Sequence, residues 1–171
     1  MSVERERFML PTLEDIGPKL ANSTLFTTLD ASSGFWQIPL EEASSKLTTF
    51  ITPFGRFCFK RLPFGITSAS EIYQRIMTEL LQDVKGAEVI IDDILVHGDS
   101  VTHDKNVEET LDVIRKSGLK LNKDKCAFKK EKAPFFGHVL SRDGIQADPT
   151  KIEAIVKMPP PQNTTEPVSY T

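Results

Sequence analysis

Apolar residues recur at helical spacing in four stretches of the chain, and two of these stretches open with a capping box. Thr12-Leu-Glu-Asp15 and Ser68-Ala-Ser-Glu71 each place an acid three residues after a hydroxyl, so that side chains and backbone N–H groups satisfy each other in the first turn. Apolar positions on one face follow both boxes. These positions are Leu13, Ile16 and Leu20 in the first predicted helix and Ile72, Ile76, Met77 and Leu80 in the second.

The third and fourth helices are predicted from their ends. The third begins near Ser100 to Asp104 and ends at Gly118, a residue suited to a left-handed C-terminal cap. The fourth takes Asp148 as its cap and has Pro149 in its first turn, where a missing N–H costs nothing. The apolar positions are Val107, Leu111 and Ile114 in the third helix and Ile152, Ile155 and Val156 in the fourth.

Apolar and β-branched runs between the helices predict strands. Pro53-Phe54-Gly55 and Ser141-Arg142-Asp143 are typical of hairpin turns, and Asp92-Asp93 joins two short apolar runs. The predicted strands are Leu25–Asp30, Phe35–Leu40, Leu47–Thr52, Arg56–Arg61, Val89–Ile91, Ile94–Val96, Phe135–Leu140 and Gly144–Ala147. Strands and helices that do not alternate strictly favour an α+β fold, with the helices packed on one face of an antiparallel sheet.

Composition agrees with one globular domain. The chain has 171 residues, of which 39% are apolar and 26% charged, so we do not expect disorder as its main state. No apolar run reaches the roughly 20 residues of a membrane span, and the first residues contain no signal-peptide core, so we expect no membrane partner and no secretion. Cys58 and Cys126 stand far apart, which fits a reducing compartment and argues against a zinc knuckle.

Charge is distributed unevenly along the chain. The net charge is −3, whereas a self-sufficient nucleic-acid binder is usually basic. The stretch from Arg115 to Lys132 nevertheless contains only two acids, Asp124 and Glu131, among many bases. These bases are Arg115, Lys116, Lys120, Lys123, Lys125, Lys129, Lys130 and Lys132. The stretch suits a phosphate backbone, and it suits a solvated helix end and loop equally well.

Three acids lie where a purely structural role is hard to assign. Asp92 and Asp93 stand between two apolar strands, so they must occupy the tip of a hairpin, because burying two unpaired charges is prohibitive. Asp30 ends another apolar strand. Carboxylates at such strand ends form a cage for Mg²⁺, and two such ions can activate a 3′-hydroxyl and stabilise a leaving pyrophosphate. From these residues alone, three unrelated turn acids remain the alternative.

The motifs around these acids resemble those of reverse transcriptases from gypsy-type long-terminal-repeat retrotransposon Pol polyproteins. In chain order, motif A is matched by Phe26-Thr-Thr-Leu-Asp30-Ala-Ser-Ser-Gly-Phe35-Trp-Gln-Ile, motif B by Leu62-Pro-Phe-Gly-Ile-Thr-Ser-Ala-Ser70 with Tyr73-Gln-Arg-Ile-Met77, motif C by Val89-Ile-Ile-Asp-Asp-Ile-Leu-Val96, motif D by Gly118-Leu-Lys-Leu-Asn-Lys-Asp-Lys-Cys126, and motif E with the link beyond it by Phe135-Phe-Gly-His-Val-Leu140, Gly144-Ile and Asp148-Pro-x-Lys151. The series covers about Phe8 to Glu166, and its order is specific to the family.

The resemblance implies a polymerase palm, with the helices on one face of the sheet. Residues 1–7 would be a short lead outside the family pattern, and residues 8–157 would be the palm. Partial fingers would lie at about residues 41–66, and no thumb would be present. Residues 158–171 would be a proline-rich, truncated linker towards a missing thumb or connection.

The resemblance also assigns the chemistry. Asp30, Asp92, Asp93 and the carbonyl group of Ala31 would bind two Mg²⁺ ions, with Mn²⁺ as an alternative ion. Lys125 would donate a proton to the leaving pyrophosphate, although a surface lysine that merely attracts phosphate fits its lysine-rich surroundings as well.

Substrate contacts follow from the same motifs. Phe35 would be the steric gate that rejects a 2′-hydroxyl, and a core aromatic of its strand is the alternative. Besides Ala31 and Phe35, the implied nucleotide-binding set contains Pro63, Phe64 and Gly65, and the implied primer grip contains Phe136, Gly137 and His138. His138 also fits a hydrogen-bonded strand histidine, and we interpret His97 and His103 as structural or surface residues.

We therefore expect an RNA-directed DNA polymerase domain, a nucleotidyltransferase whose partners are an RNA or DNA template with a DNA primer, deoxynucleoside triphosphates, and the fingers, thumb and ribonuclease H regions of a polyprotein. The expected compartment is the cytoplasm, in a virus-like particle, or the nucleus. The alternative is a truncated or domesticated remnant that binds nucleic acid or a protein without catalysis. A third interpretation is a chain that folds poorly alone and exposes apolar side chains such as Phe8, Trp36, Phe54 and Phe57.

Overall fold

A computed structural model describes residues 7–157. The helices are α1 (Leu13–Ile16, continued by a 3-10 turn at Gly17–Leu20), α2 (Gly34–Gln37), α3 (Glu42–Leu47), α4 (Ala69–Leu81), α5 (His103–Ser117) and α6 (Pro149–Val156). The strands are β1 (Leu25–Asp30), β2 (Phe50–Thr52), β3 (Gly55–Phe57), β4 (Ala87–Ile90), β5 (Asp93–Gly98), β6 (Ala127–Lys130), β7 (Lys132–Phe135), β8 (His138–Ser141) and β9 (Gly144–Ala147). The predicted linker at 158–171 and most of the predicted lead at 1–7 lie outside the described residues.

A four-stranded antiparallel sheet with the strand order β4-β5-β1-β6 forms the centre of the molecule. β1 and β5 pair along their whole length, from Leu25 opposite Gly98 to Asp30 opposite Asp93. Because side chains alternate between the faces of a strand, this register places Leu29 and Ile94 on one face and Phe26 and Leu95 on the other.

Each face of the central sheet has its own apolar core. On one face Leu29 and Ile94 pack with Tyr73 and Met77 of α4 and Ile114 of α5. The other face carries a second cluster, in which Phe26 and Leu95 pack with residues of α1 and of a separate three-stranded sheet, β7-β8-β9; its further buried members are Ile16, Ile90, Ala133, Phe135 and Leu140. The helices α4 and α5 cover one face, as predicted, and the sequence analysis did not foresee the cover on the second face.

The four predicted helices are present. Thr12 and Asp15 form the capping box of α1, and Gly118 ends α5 in the left-handed conformation with φ of 77°. Ser68 precedes α4 as predicted, but its side chain makes no capping hydrogen bond, so the capping box predicted there is wrong.

The strand predicted at Phe35–Leu40 is wrong. Ser33 adopts a left-handed conformation with φ of 51°, and residues Gly34–Gln37 then form one helical turn. This turn lets Phe35 stack on Tyr73 of α4, with ring centroids 4.8 Å apart. Packing against α4 thus overrides the β-propensity of the apolar residues.

Two further strand predictions need correction. Residues 135–140 are not one strand, because the turn at Phe136-Gly137 separates β7 from β8. The predicted hairpin around Pro53-Phe54-Gly55 forms, but its strands are only three residues long, and the short helix α3 occupies most of the region before β2. β6, which lies in the lysine-rich stretch, was not predicted as a strand.

Both cysteines, Cys58 and Cys126, are free. Within residues 7–157, no helix has the length and apolar character needed to cross a membrane. The exposed apolar side chains include Trp36, Phe54 and Phe57, as the sequence suggests, whereas Phe8 is half-buried.

Candidate active site

The three predicted carboxylates meet at one end of the central sheet. Asp30 ends β1, Asp93 begins β5 directly opposite it, and Asp92 lies in the turn between β4 and β5. The N–H of Ala31 donates a hydrogen bond of 3.3 Å to the carbonyl oxygen of Asp92. Strand pairing and this bond therefore hold the end of motif A against the turn of motif C.

A buried glutamine holds that turn in an unusual conformation. Ile91 has φ of 52°, which is a costly conformation for a β-branched residue. The Ile91 N–H donates to Gln74 Oε1 at 2.6 Å, and Gln74 Nε2 donates to the carbonyl oxygen of Val89 at 2.9 Å. Gln74 is completely buried in α4, so one side chain clamps both sides of the turn that carries Asp92.

Tyr73 and Gly34 form the wall behind Asp92. Tyr73 Oη and Asp92 Oδ1 are shielded from solvent, and neither has a well-formed hydrogen bond among the described residues. A β-carbon at Gly34 would come within 2.6 Å of Asp92 Oδ1 and would collide with the Tyr73 hydroxyl. Position 34 therefore needs a glycine, because only a hydrogen atom fits between the phenol and the carboxylate.

Burial and mutual repulsion raise the pKa values of two acids of this site. Burial raises the pKa of Asp92, and repulsion from Asp30 and Asp93 raises it further, while the Tyr73 hydroxyl and Lys125 act in the opposite direction. Burial and the charge of Asp30 likewise raise the pKa of Asp93. Burial, followed by the charge of Asp92, raises the pKa of Tyr73. The cluster carries more negative charge than its surroundings neutralise, which favours the binding of a cation.

Lys125 approaches the cluster from motif D. Its Nζ lies 3.4 Å from Asp30 Oδ2, and the side chain is mostly exposed. The N–H of Asn122 donates to the carbonyl oxygen of Asp30 at 2.9 Å, so the loop before Lys125 is bound to the end of β1. Gln37 connects motif A to the same loop a second time. Its side-chain amide accepts a hydrogen bond from the N–H of Lys120 and donates one to the carbonyl oxygen of Lys120.

The nucleotide-binding residues implied by motifs A and B form a second group. Phe35 is only 5% exposed, and the ring of Phe64 lies over it with a centroid distance of 5.0 Å. Pro63 is buried, whereas Phe64 is exposed. Gly65 has φ of 85°, and the space beside its α-carbon is open. Phe35 thus packs in the core, as its alternative interpretation has it, but in the helical turn α2 rather than in a strand, and a ligand would reach it past Phe64.

The three residues implied as the primer grip lie at the hairpin between β7 and β8, with Phe136 and Gly137 in its turn and His138 at the start of β8. Phe136 and Gly137 have φ of 43° and 75°, so both central residues of this two-residue turn are left-handed. His138 Nδ1 lies 3.1 Å from the carbonyl oxygen of Phe136 within the turn. An open cleft of about 370 Å³ connects this turn with Asp30, Asp93 and Lys125.

The donor chemistry fits divalent cations, but the side chains are not arranged around one point. Carboxylate oxygens are the ligands that Mg²⁺ prefers. Across residues 7–157, no three His, Cys, Asp or Glu side chains converge closely enough to hold a single ion. One oxygen of Asp92 is buried beside Tyr73, and Asp30 is paired with Lys125. Ion binding at this site would therefore require these two carboxylates to reorient.

Sequence reasoning found the acids but missed the residues that support them. Gln74 and Tyr73 lie in motif B, and Gly34 in motif A, yet none was assigned a role. The helical pattern of α4 gives no signal for Gln74, because a polar residue on a helix is usually solvated. His97 and His103 are buried, which confirms the structural interpretation.

Comparison with known proteins adds a family match. Residues 5–140 match the family model described as "Reverse transcriptase (RNA-dependent DNA polymerase)". The retrovirus-related Pol polyprotein from transposon opus of Drosophila melanogaster is 38% identical over 164 residues, which cover 94% of this chain and 16% of that polyprotein. The enzymatic polyprotein of figwort mosaic virus (strain DxS) is 38% identical over 130 residues, which cover 75% of this chain and 20% of it. The chain thus spans a small part of these relatives.

Solved structures support the fold. A foamy viral protease-reverse transcriptase in complex with double-stranded DNA superposes with a TM-score of 0.87 at 22% identity, over 98% of this chain and 30% of that one. The foamy viral protease-reverse transcriptase in complex with an RNA/DNA hybrid gives a TM-score of 0.81 at 24% identity, over 91% of this chain and 21% of that one. These likenesses confirm the predicted α+β architecture.

Proposed function

Because the chain belongs to the reverse transcriptase (RNA-dependent DNA polymerase) family, we propose that it forms the catalytic palm of a retrotransposon polymerase that extends a DNA primer on an RNA or DNA template. The observation that carries the proposal is the pairing of Asp30 with Asp93 across two strands, with Asp92 in the adjoining turn. Residues 8–157 would be the palm, and residues 41–66, which contain α3 and the separate β2-β3 sheet, would be the partial fingers.

In this proposal Asp30, Asp92, Asp93 and the carbonyl oxygen of Ala31 hold two Mg²⁺ ions, with Mn²⁺ as an alternative. When bound, the ions supply Lewis-acid activation of the primer 3′-hydroxyl and stabilise charge on the leaving pyrophosphate. The protein needs no nucleophile of its own, since it positions the reacting groups. Lys125, mostly exposed beside Asp30, donates a proton to the pyrophosphate.

The remaining contacts define the substrate. Deoxynucleoside triphosphates would lie against motif B, formed by Pro63, Phe64 and Gly65, with Phe35 below as the steric gate. The open space beside Gly65 and the exposed ring of Phe64 support this placement. The primer end would lie on the turn of Phe136, Gly137 and His138, which shares a cleft with Asp30 and Asp93.

Primer extension tests the mechanism. The purified chain is given an RNA template, a DNA primer, deoxynucleotides and Mg²⁺, beside Asp92→Asn and the matched control Asp143→Asn, whose carboxylate is exposed in the turn after β8. We expect Asp92→Asn to slow extension by roughly 100-fold or more, since it removes an electrostatic partner of the transition state, and Asp143→Asn to retain the parental rate. Extension at the parental rate by folded Asp92→Asn would refute the assigned mechanism.

A second candidate is a non-catalytic domain that binds nucleic acid. The lack of three converging carboxylates among the described residues favours it. Folded parent chain that binds a duplex with steep salt dependence, yet adds no nucleotide, would support this candidate over the first.

A further inference from the structure

A second lysine lines the acidic cleft together with Lys125. Lys151 lies in α6, beyond the residues matched by the family model, and contributes to the same cleft as Asp30 and Asp93. Asp148, the residue before α6, also lines this cleft. Neither the motif series nor the comparisons assign a role to Lys151.

The ammonium group of Lys151 packs directly on the turn between β7 and β8. A β-carbon at Gly137 would collide with Lys151 Nζ and would lie 3.4 Å from its Cε. The φ of 75° requires a glycine at position 137, whereas the close approach of Lys151 is made by the flexible end of its side chain. The contact places a positive charge at the turn proposed as the primer grip.

The electrostatic setting of Lys151 favours an anionic ligand. Lys151 lies in the first turn of α6, where the helix dipole disfavours a cation. Lys157 at the other end of α6 pairs with Glu153 at 2.5 Å, so its charge is already offset within the helix. A phosphate at this point would be attracted by the ammonium group of Lys151, against the repulsion of the carboxylates that line the same cleft, Asp30, Asp93 and Asp148.

From this arrangement we propose that Lys151 binds a backbone phosphate of the primer strand close to its 3′ end. The inference rests on the proposed function, because it takes the β7–β8 turn as the place where the primer lies. A compact ammonium on a flexible side chain can follow a phosphate as the strand moves by one nucleotide. Lys151 and Lys125 then have separate roles: Lys151 binds the primer strand, and Lys125 donates a proton to the leaving pyrophosphate.

The salt dependence of duplex binding tests the assignment. Affinity of the full chain for a fluorescent primer–template DNA duplex is measured by anisotropy at several salt concentrations, for the parent, Lys151→Gln, Lys151→Arg and the matched control Lys157→Gln. One lost phosphate contact lowers the slope of log affinity against log salt by about 0.9. We expect this decrease in Lys151→Gln alone, with the parental slope in Lys151→Arg and Lys157→Gln.

Each outcome decides a separate question. A parental slope in Lys151→Gln, with the parent binding normally, overturns the role of Lys151 and leaves the polymerase proposal intact. Failure of the folded parent to bind any duplex overturns both proposals. Inorganic pyrophosphate is added as a competitor in a second series. If it abolishes the difference between the parent and Lys151→Gln, the lysine takes the leaving group, and the assignment to the primer strand is wrong.

Discussion

At the scale of single residues, the strained backbone lies directly before a proposed metal ligand. Ile91 adopts a left-handed φ of 52°, and Asp92 follows it. Such a conformation costs about 1–3 kcal/mol and persists only where the surroundings enforce it. Gln74 holds this conformation in place, because its side chain accepts a hydrogen bond from the N–H of Ile91 and donates one to the carbonyl oxygen of Val89.

Replacing Gln74 by leucine is expected to destabilise the fold. The substitution removes both bonds and leaves a buried N–H and a buried carbonyl group without partners, which costs about 2–4 kcal/mol in the free energy of unfolding. Gln82→Leu is the control, since Gln82 is exposed at the end of the same helix α4. Urea unfolding of the two variants should separate them clearly; equal, small losses would show that the clamp contributes little.

The charges of Asp30, Asp92 and Asp93 single them out in the sequence, because a carboxylate directly after an apolar run is costly to bury without a partner. No comparable signal exists for Gln74. Its role depends on β4 and β5 meeting α4 in space, and the residues that it bonds lie 15 and 17 positions away along the chain. The acids of a charged cluster can thus be predicted from one sequence, whereas their buried neutral supports require the fold.

At the scale of elements, the turn between β7 and β8 places an aromatic residue where asparagine or glycine is usual. A two-residue hairpin turn of this kind requires positive φ at both central residues. Phe136, the first of them, has φ of 43°. The residue is nevertheless 47% exposed, so burial of its side chain offsets the conformational cost only in part. Strain at a half-exposed position fits the proposed role of Phe136 in binding the primer end.

Phe136→Asn is therefore expected to stabilise the protein while weakening duplex binding. Asparagine tolerates the left-handed conformation, so we expect a gain of about 0.5–1 kcal/mol in the free energy of unfolding. Removing the ring eliminates a surface on which the primer end would lie, so the affinity for a primer–template duplex should fall. Thermal melts and anisotropy on the same sample check both changes. A variant that is more stable and binds as tightly as the parent would exclude the ring from primer binding.

The two wrong strand predictions share one cause. In both cases a residue with positive φ redirects the chain next to an apolar run: Ser33 precedes the helical turn that contains Phe35, and Phe136-Gly137 interrupts residues 135–140. Hydrophobic pattern reports burial and says little about backbone direction. Helix ends were predicted better, since Thr12 and Gly118 act through local hydrogen bonds and local φ.

At the scale of the whole molecule, one sheet connects two apolar cores. β1 contributes Leu29 to the core under α4 and α5, and Phe26 to the core under β7-β8-β9. The proposed catalytic end of the sheet shares a cleft with the β7–β8 turn that is proposed as the primer grip. Because β1 belongs to both cores, we expect the two layers to unfold together as one cooperative unit.

A buried histidine should make this unit sensitive to acid. His97 of β5 is 7% exposed; its Nδ1 lies 2.9 Å from Ser23 Oγ, and its Nε2 has no partner among the described residues. Burial lowers the pKa of His97 to about 4, and repulsion from Lys19 and His103 contributes to the same shift. The ordinary value near 6.5 applies when the chain is unfolded, so the unfolded state binds a proton first as the pH falls. Above pH 6.5 the ring is neutral in both states and adds no pH dependence.

The stability of the fold is therefore expected to fall between pH 6.5 and pH 4, by roughly 3 kcal/mol once the pH is below both values. Asp92 and Asp93, whose pKa values are raised, act in the opposite direction, but they are present in the parent and in His97→Gln alike. The quantity to measure is the difference in unfolding free energy between pH 7 and pH 4.5 for each protein in urea. His97→Gln should lose clearly less stability than the parent over this interval, because glutamine has no proton to bind. Equal losses in the two proteins would assign the acid sensitivity to groups other than His97.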